Sequence, residues 1–104
     1  MPNKPFKVLE RDVAALIGGW RLPANSGHAI DAEGPRFVAQ CKLVKSLSLE
    51  QATQLVEAIT AEGLKVGKLG IVGVKVRRGV GKESPIVVMM SGETFAKILG
   101  TLTP

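Results

Sequence analysis

A chain of 104 residues, 45% of them hydrophobic, is long enough for one domain with a real core and too short for a second. No apolar run approaches the ~20 residues of a transmembrane helix, and a single cysteine, Cys41, rules out an internal disulfide framework. The formal charge of +5 is gathered in one stretch: Lys65, Lys68, Lys75, Arg77, Arg78 and Lys82 follow one another without an intervening acid, which suits either a nucleic-acid partner or a charged edge strand.

The opening Met1-Pro2-Asn3-Lys4-Pro5 reads as a frayed terminus and not as a secretory signal, so a cytoplasmic setting is expected. Leu9, Val13, Leu16 and Ile17 recur at helical spacing and predict a helix over 6–18, closed by Gly18-Gly19. Glu10 falls at the margin of that stripe, where it is either a surface glutamate or a group leaning toward whatever the helix packs upon. Trp20-Arg21-Leu22 is a short strand candidate, and Pro23-Ala24-Asn25-Ser26-Gly27 is a loop by its turn chemistry. A second strand carries Ala29-Ile30-Asp31. Glu33-Gly34-Pro35 then turns the chain into a strand ending at Lys42, a hairpin that brings Asp31 near Gln40. In 36–42 the strand period puts Val38, Gln40 and Lys42 on one face, with Phe37, Ala39 and Cys41 on the other. Cys41 is read as core.

Ser48 and Gln51 stand in capping-box positions for a second helix, with Leu47 placed to staple against Ala52 and Gly63 expected beyond the last turn. Its buried face is Ala52, Leu55, Val56 and Ile59. Strands over 69–76 and 85–90 follow, joined by Arg77-Arg78-Gly79-Val80-Gly81-Lys82. The unbroken Ile86-Val87-Val88-Met89-Met90 suggests burial on both faces. A last helix over 92–99 is expected to pack through Phe95, Ile98 and Leu99.

An acid, a turn, and a strand ending in acceptor-x-lysine form a pattern with chemical content. Mg²⁺ takes oxygen ligands and keeps several waters, so a carboxylate, an amide oxygen and a backbone carbonyl can suffice beside a phosphate, where lysine adds positive charge. Asp31 with Gln40-Cys41-Lys42 resembles the PD-(D/E)xK nuclease signature in its QxK variant. Ile30 stands where the signature has proline. Glu10 on the first helix, Trp20-Arg21, Ser26-Gly27 and Gln51-Ala52 extend the likeness over about 8–98, and the order is similar to that of small phage Holliday-junction resolvases and their archaeal relatives.

The resemblance implies a single α/β domain over 1–104 with a restriction-endonuclease-like core, a mixed central sheet flanked by helices in the order α-β-β-β-α-β-β-α. It implies Asp31 as the central ligand of Mg²⁺ or Mn²⁺, Gln40 as a second oxygen, the Cys41 carbonyl as a third, and Glu10 acting directly or through water. Lys42 would orient the attacking water. Arg21, Ser26, Gly27 and His28 would meet DNA, together with Lys75, Arg77, Arg78 and Lys82; a simple turn at Ser26-Gly27 and a bystander His28 stay open. The implied activity is a Holliday-junction resolvase or structure-selective endonuclease, working as a homodimer on branched DNA, in the host cytoplasm if phage-encoded. A restriction or repair nicking nuclease and a catalytically silent DNA-binding module of the same fold are the alternatives, the latter because Gln40 replaces a charged ligand.

Overall fold

The computed structural model describes residues 4–23, 29–79 and 81–102. Helix α1, Pro5–Leu16, starts on a proline, whose missing N–H is harmless in a first turn. It ends in a Schellman motif: Gly18 takes φ 64, while Gly19 N donates to the Ala14 carbonyl at 2.8 Å. Its buried face is Leu9, Glu10, Val13 and Ala14, with Ile17 half-buried. Leu16, expected in the stripe, is 61% exposed. The helix therefore turns Ala14, and not Leu16, to the sheet, and Glu10 lies on the same inner face.

Three strands follow: β1 (Trp20–Arg21), β2 (Ala32–Glu33) and β3 (Phe37–Val44). Gly34 N donates to the Phe37 carbonyl at 2.8 Å, and this tight turn sets the antiparallel register Ala32↔Ala39 and Glu33↔Val38. Strand β2 therefore begins just after Asp31, where a strand over 29–31 was expected. Asp31 N still donates to the Ala39 carbonyl at 2.8 Å, but at the next position its side chain, not its backbone, meets β3.

Helix α2, Leu49–Lys65, opens with the expected capping box between Ser48 and Gln51. Gly63 lies inside the helix and not beyond it, and only glycine fits there because a Cβ would run into the Lys68 carbonyl oxygen. Gly67, at φ 68, is the residue that ends the helix, with Lys68 N donating to the Gly63 carbonyl at 2.9 Å. Strand β4, Leu69–Val76, then runs parallel to β3 along the whole of both strands. The α2 crossover makes that parallel pairing possible.

Strand β5, Ile86–Met89, is antiparallel to β4, and helix α3, Gly92–Leu102, ends the described chain. The result is an α/β fold with a mixed five-stranded sheet in the order β1-β2-β3-β4-β5, in the expected order of elements. Leu9, Val13 and Ala14 of α1 pack on Ala39, Cys41 and Ile71, while Ile59 of α2 packs on Val38, Val72 and Val74 from the opposite side. The expected two-sided burial of the last strand does not hold: Val87 is 48% and Val88 41% exposed. Strand β5 is an edge, and α1 and α2 sit over the middle of the sheet. For the same reason Phe95 and Leu99 of α3 remain about half exposed, and Thr94 is the buried residue of that helix. No helix among the described residues is long and apolar enough to cross a membrane.

Candidate functional site

The site begins where β2 parts from β3. One bond past the last strand pair, Asp31 Oδ2 accepts from Cys41 N at 2.8 Å, so the carboxylate lies at the sheet's fork, against the backbone of the Gln-Cys-Lys triplet. The hairpin thus brings the acid to the triplet, as its spacing implied. Leu22 N donates to the Asp31 carbonyl at 2.9 Å and ties β1 to the same point.

Glu10 arrives from α1. Gly73 of β4 has no side chain to resist that helix, and a Cβ there would lie 2.6 Å from Val13 Cγ2, so α1 sits low on the sheet. One turn before Val13, the Glu10 carboxylate is buried and accepts from Arg21 Nη2 at 3.1 Å. The Cys41 thiol lies in the core beside Leu9 and Val13 of α1, as expected. Its pKa is pushed up to about 12, chiefly by burial and then by the negative charges of Asp31 and Glu10.

Gln40 and Lys42 occupy the other face of β3, the one that packs toward α2. Gln40 Oε1 is buried and has no hydrogen-bond partner among the described residues. Leaving such an oxygen unmet costs about 1–3 kcal/mol. Lys42 is half-buried in a groove of about 340 Å³ shared with Leu47, Gln51, Gln54 and Leu55. Among the described residues no carboxylate lies within ion-pair distance of it. Asp31 stands at the strand edge, while Glu10 belongs to the face covered by α1 and Gln40 to the opposite face, covered by α2; among the described residues no hydrogen bond joins Glu10 or the Gln40 side chain to Asp31.

Among the described residues there is no group of three His, Cys, Asp or Glu that could hold a metal. The candidate donors are instead two carboxylates, an amide oxygen and the Cys41 carbonyl. All are hard oxygens, which fit a cation such as Mg²⁺ that retains waters and do not fit a zinc site built of nitrogen and sulfur. The orphaned Gln40 oxygen fits the same donor set.

The basic stretch divides in space. Lys65 pairs with Glu62 at 3.2 Å and Lys68 with Glu33 at 2.5 Å, both near the start of β4. Lys75, Arg77, Arg78 and Lys82 lie at the far end, some 23 Å along the strand at ~3.3 Å per residue, and line a groove of about 530 Å³ with Pro5, Val8, Leu43 and Ser84. Leu43 pairs with Lys75 and shares its face of β3 with Cys41, so this groove continues the fork. Lys4 and Lys7 flank Pro5 and Val8 in the chain and are exposed. They went unnoticed in the sequence because only the antiparallel packing of α1 on β3 and β4 carries them to that end. Ser26, Gly27 and His28 lie outside the described residues. No family model, no curated protein and no solved structure matches this chain.

Proposed function

We propose that this protein is a metal-dependent endonuclease that hydrolyses DNA phosphodiester bonds, a Holliday-junction resolvase or other structure-selective DNase acting as a homodimer. The observation that carries this reading is the buried, unpartnered Gln40 oxygen, one residue from the amide that holds the Asp31 carboxylate. Mg²⁺ or Mn²⁺ held there would supply a Lewis acid for the scissile phosphate. Asp31 would be its central ligand, and Gln40, the Cys41 carbonyl and Glu10 would complete the protein's share. Lys42, with no acid within ion-pair distance among the described residues, keeps its donors for the attacking water and for charge that builds on phosphorus. Lys75, Arg77, Arg78 and Lys82 draw the backbone along the groove beside the fork, and Arg21 meets it nearer the bond that breaks; the further DNA contacts expected at Ser26, Gly27 and His28 lie outside the described residues. Two symmetric cuts in a branched substrate call for two sites, which a two-fold dimer provides.

A second reading has its own support. Gln40 brings no charge, and the described residues hold no three-acid cluster, as expected of a silent DNA-binding module. Labelled four-way junction, duplex and single-stranded DNA, incubated with Mg²⁺, Mn²⁺ or chelator, separate the two. The nuclease reading expects metal-dependent scission that Asp31→Ala and Lys42→Ala each abolish while binding survives. Full activity in either variant sinks it, and binding without scission under every condition selects the silent module.

A further inference from the structure

Glu10 is a buried carboxylate whose Oε1 is bound to Arg21, and Arg21 reaches it from the edge strand β1. The exposures differ: the Glu10 side chain is 11% accessible and that of Arg21 is 36%. A guanidinium carries five N–H donors in a rigid fork, and the Glu10 bond uses one. Arg21 precedes Leu22, whose amide holds the Asp31 carbonyl at 2.9 Å. No second acid lies within ion-pair distance of Arg21 among the described residues. A divalent cation drawn to Asp31 and Glu10 would compete with this guanidinium for one carboxylate, since two cations cannot share it without repulsion.

We propose that Arg21 is a phosphate clamp gated by Glu10: a cation at Glu10 and Asp31 releases the guanidinium, which then grips a DNA backbone phosphate. The inference rests on the metal-dependent reading of the site and adds that cation and DNA bind cooperatively through one side chain. Arginine suits the second half of this exchange because its fork matches phosphate bidentately. Coupling of this kind is reciprocal: whatever factor the cation adds to DNA affinity, DNA adds to cation affinity.

The test is a double-mutant cycle on binding. Affinity for labelled junction DNA is measured by fluorescence anisotropy, in Ca²⁺ and in chelator, for the parent, Arg21→Gln, Glu10→Gln and the double variant. The parent is expected to bind about tenfold tighter with Ca²⁺, a coupling in the usual range, and Arg21→Gln should lose most of that gain, keeping only what direct contact of cation and phosphate supplies. Glu10→Gln in chelator should bind tighter than the parent in chelator, by the part of the gain that Arg21 carries, and that gain should vanish in the Arg21→Gln background. A gain that persists there would mean simple relief of repulsion between Glu10 and phosphate, and would overturn the clamp. So would a full Ca²⁺ effect in Arg21→Gln. Mn²⁺ titration without DNA separates this failure from a deeper one: no cation binding by the parent overturns the metal reading and the clamp with it, while normal cation binding with unaltered coupling in Arg21→Gln overturns the clamp alone. If Arg21→Gln unfolds, Arg21→Lys keeps the charge without the fork and should retain only a small part of the coupling.

Discussion

The two ends of β4 are built from similar residues and behave in opposite ways. At its start, Gly63 and Gly70 let helix and strand backbones touch, and Lys65 and Lys68 are each neutralised by a glutamate. At its far end, Gly79 and Gly81 take positive φ in an open turn, and Lys75, Arg77, Arg78 and Lys82 have no ion-pair partner among the described residues. Glycine next to lysine therefore has no fixed meaning. Where the glycine is used for close packing, the nearby charge is internal to the fold; where it is used for a turn, the charge is left for something outside.

The largest difference should appear on adding one methyl group at each end. A Cβ on Gly70 would lie 2.5 Å from the Ile59 carbonyl oxygen and 2.8 Å from Thr60 N, both backbone atoms of α2 that cannot move without shifting the helix. Gly70→Ala should cost about 3 kcal/mol or more in denaturant unfolding. Gly79→Ala meets nothing within 4 Å and is strained only by its φ of 99, so about 1 kcal/mol is expected. Equal losses would erase the distinction between the ends.

Cys41 tests how far the closed character reaches along β3. The folded thiol holds its proton up to about 12, whereas the unfolded one releases it near 9.0. Folding stability from this group is therefore complete below pH 9 and is lost as pH rises toward 12, at up to about 1.4 kcal/mol per pH unit. Denaturation across that window should show the fall, and Cys41→Ala should remove this component of it. An unchanged slope in Cys41→Ala would place the thiol in a wetter setting than its burial implies.

The open end should show itself in DNA binding. Arg77→Ala with Arg78→Ala should weaken binding to all DNA sequences and flatten the plot of log K against log salt by about 0.9 for each phosphate no longer neutralised. Lys65→Ala with Lys68→Ala should leave that slope nearly as it was. Matching changes in the two pairs would mean that the whole run from Lys65 to Lys82 meets DNA despite its separation in space.

What was legible in the sequence was local. The bounds of β4, the Ser48–Gln51 box and the facing of Gln40 and Lys42 follow from cap chemistry and a period of two, which act over a few residues. The order of elements followed from them. The seating of α1 that exposes Leu16 and buries Glu10 involves Val13 against Gly73, distant in the chain, and no window around Leu16 contains that information. The openness of Val87, Val88 and Phe95 was hidden for a similar reason: an apolar run predicts that burial is favourable, not that another element is placed to supply it. At the site, Asp31 beside the Gln-Cys-Lys triplet could be read from the hairpin. The Glu10–Arg21 pair could not, because its partners sit on different elements with a Schellman turn between them.

The smallest expected effect divides the closed end itself. Lys68 bridges to Glu33 across 35 residues of chain, joining β2 to the start of β4 with side chains only 20% and 25% exposed. Lys65 bridges to Glu62 one turn away, and its own side chain is 69% exposed. Water and salt screen the second pair and the lysine loses rotamer freedom to hold it, so Lys65→Ala should change stability by less than about 0.5 kcal/mol. Lys68→Ala leaves a half-buried Glu33 without its partner and also loosens the tie between strands. A cost of about 1–2 kcal/mol is expected there, less affected by salt. Unfolding both variants at low and high ionic strength checks the ranking. Equal, salt-sensitive costs would show that Lys68, like Lys65, is a surface charge held by chance, and the closed end would then owe its closure to Gly63 and Gly70 alone.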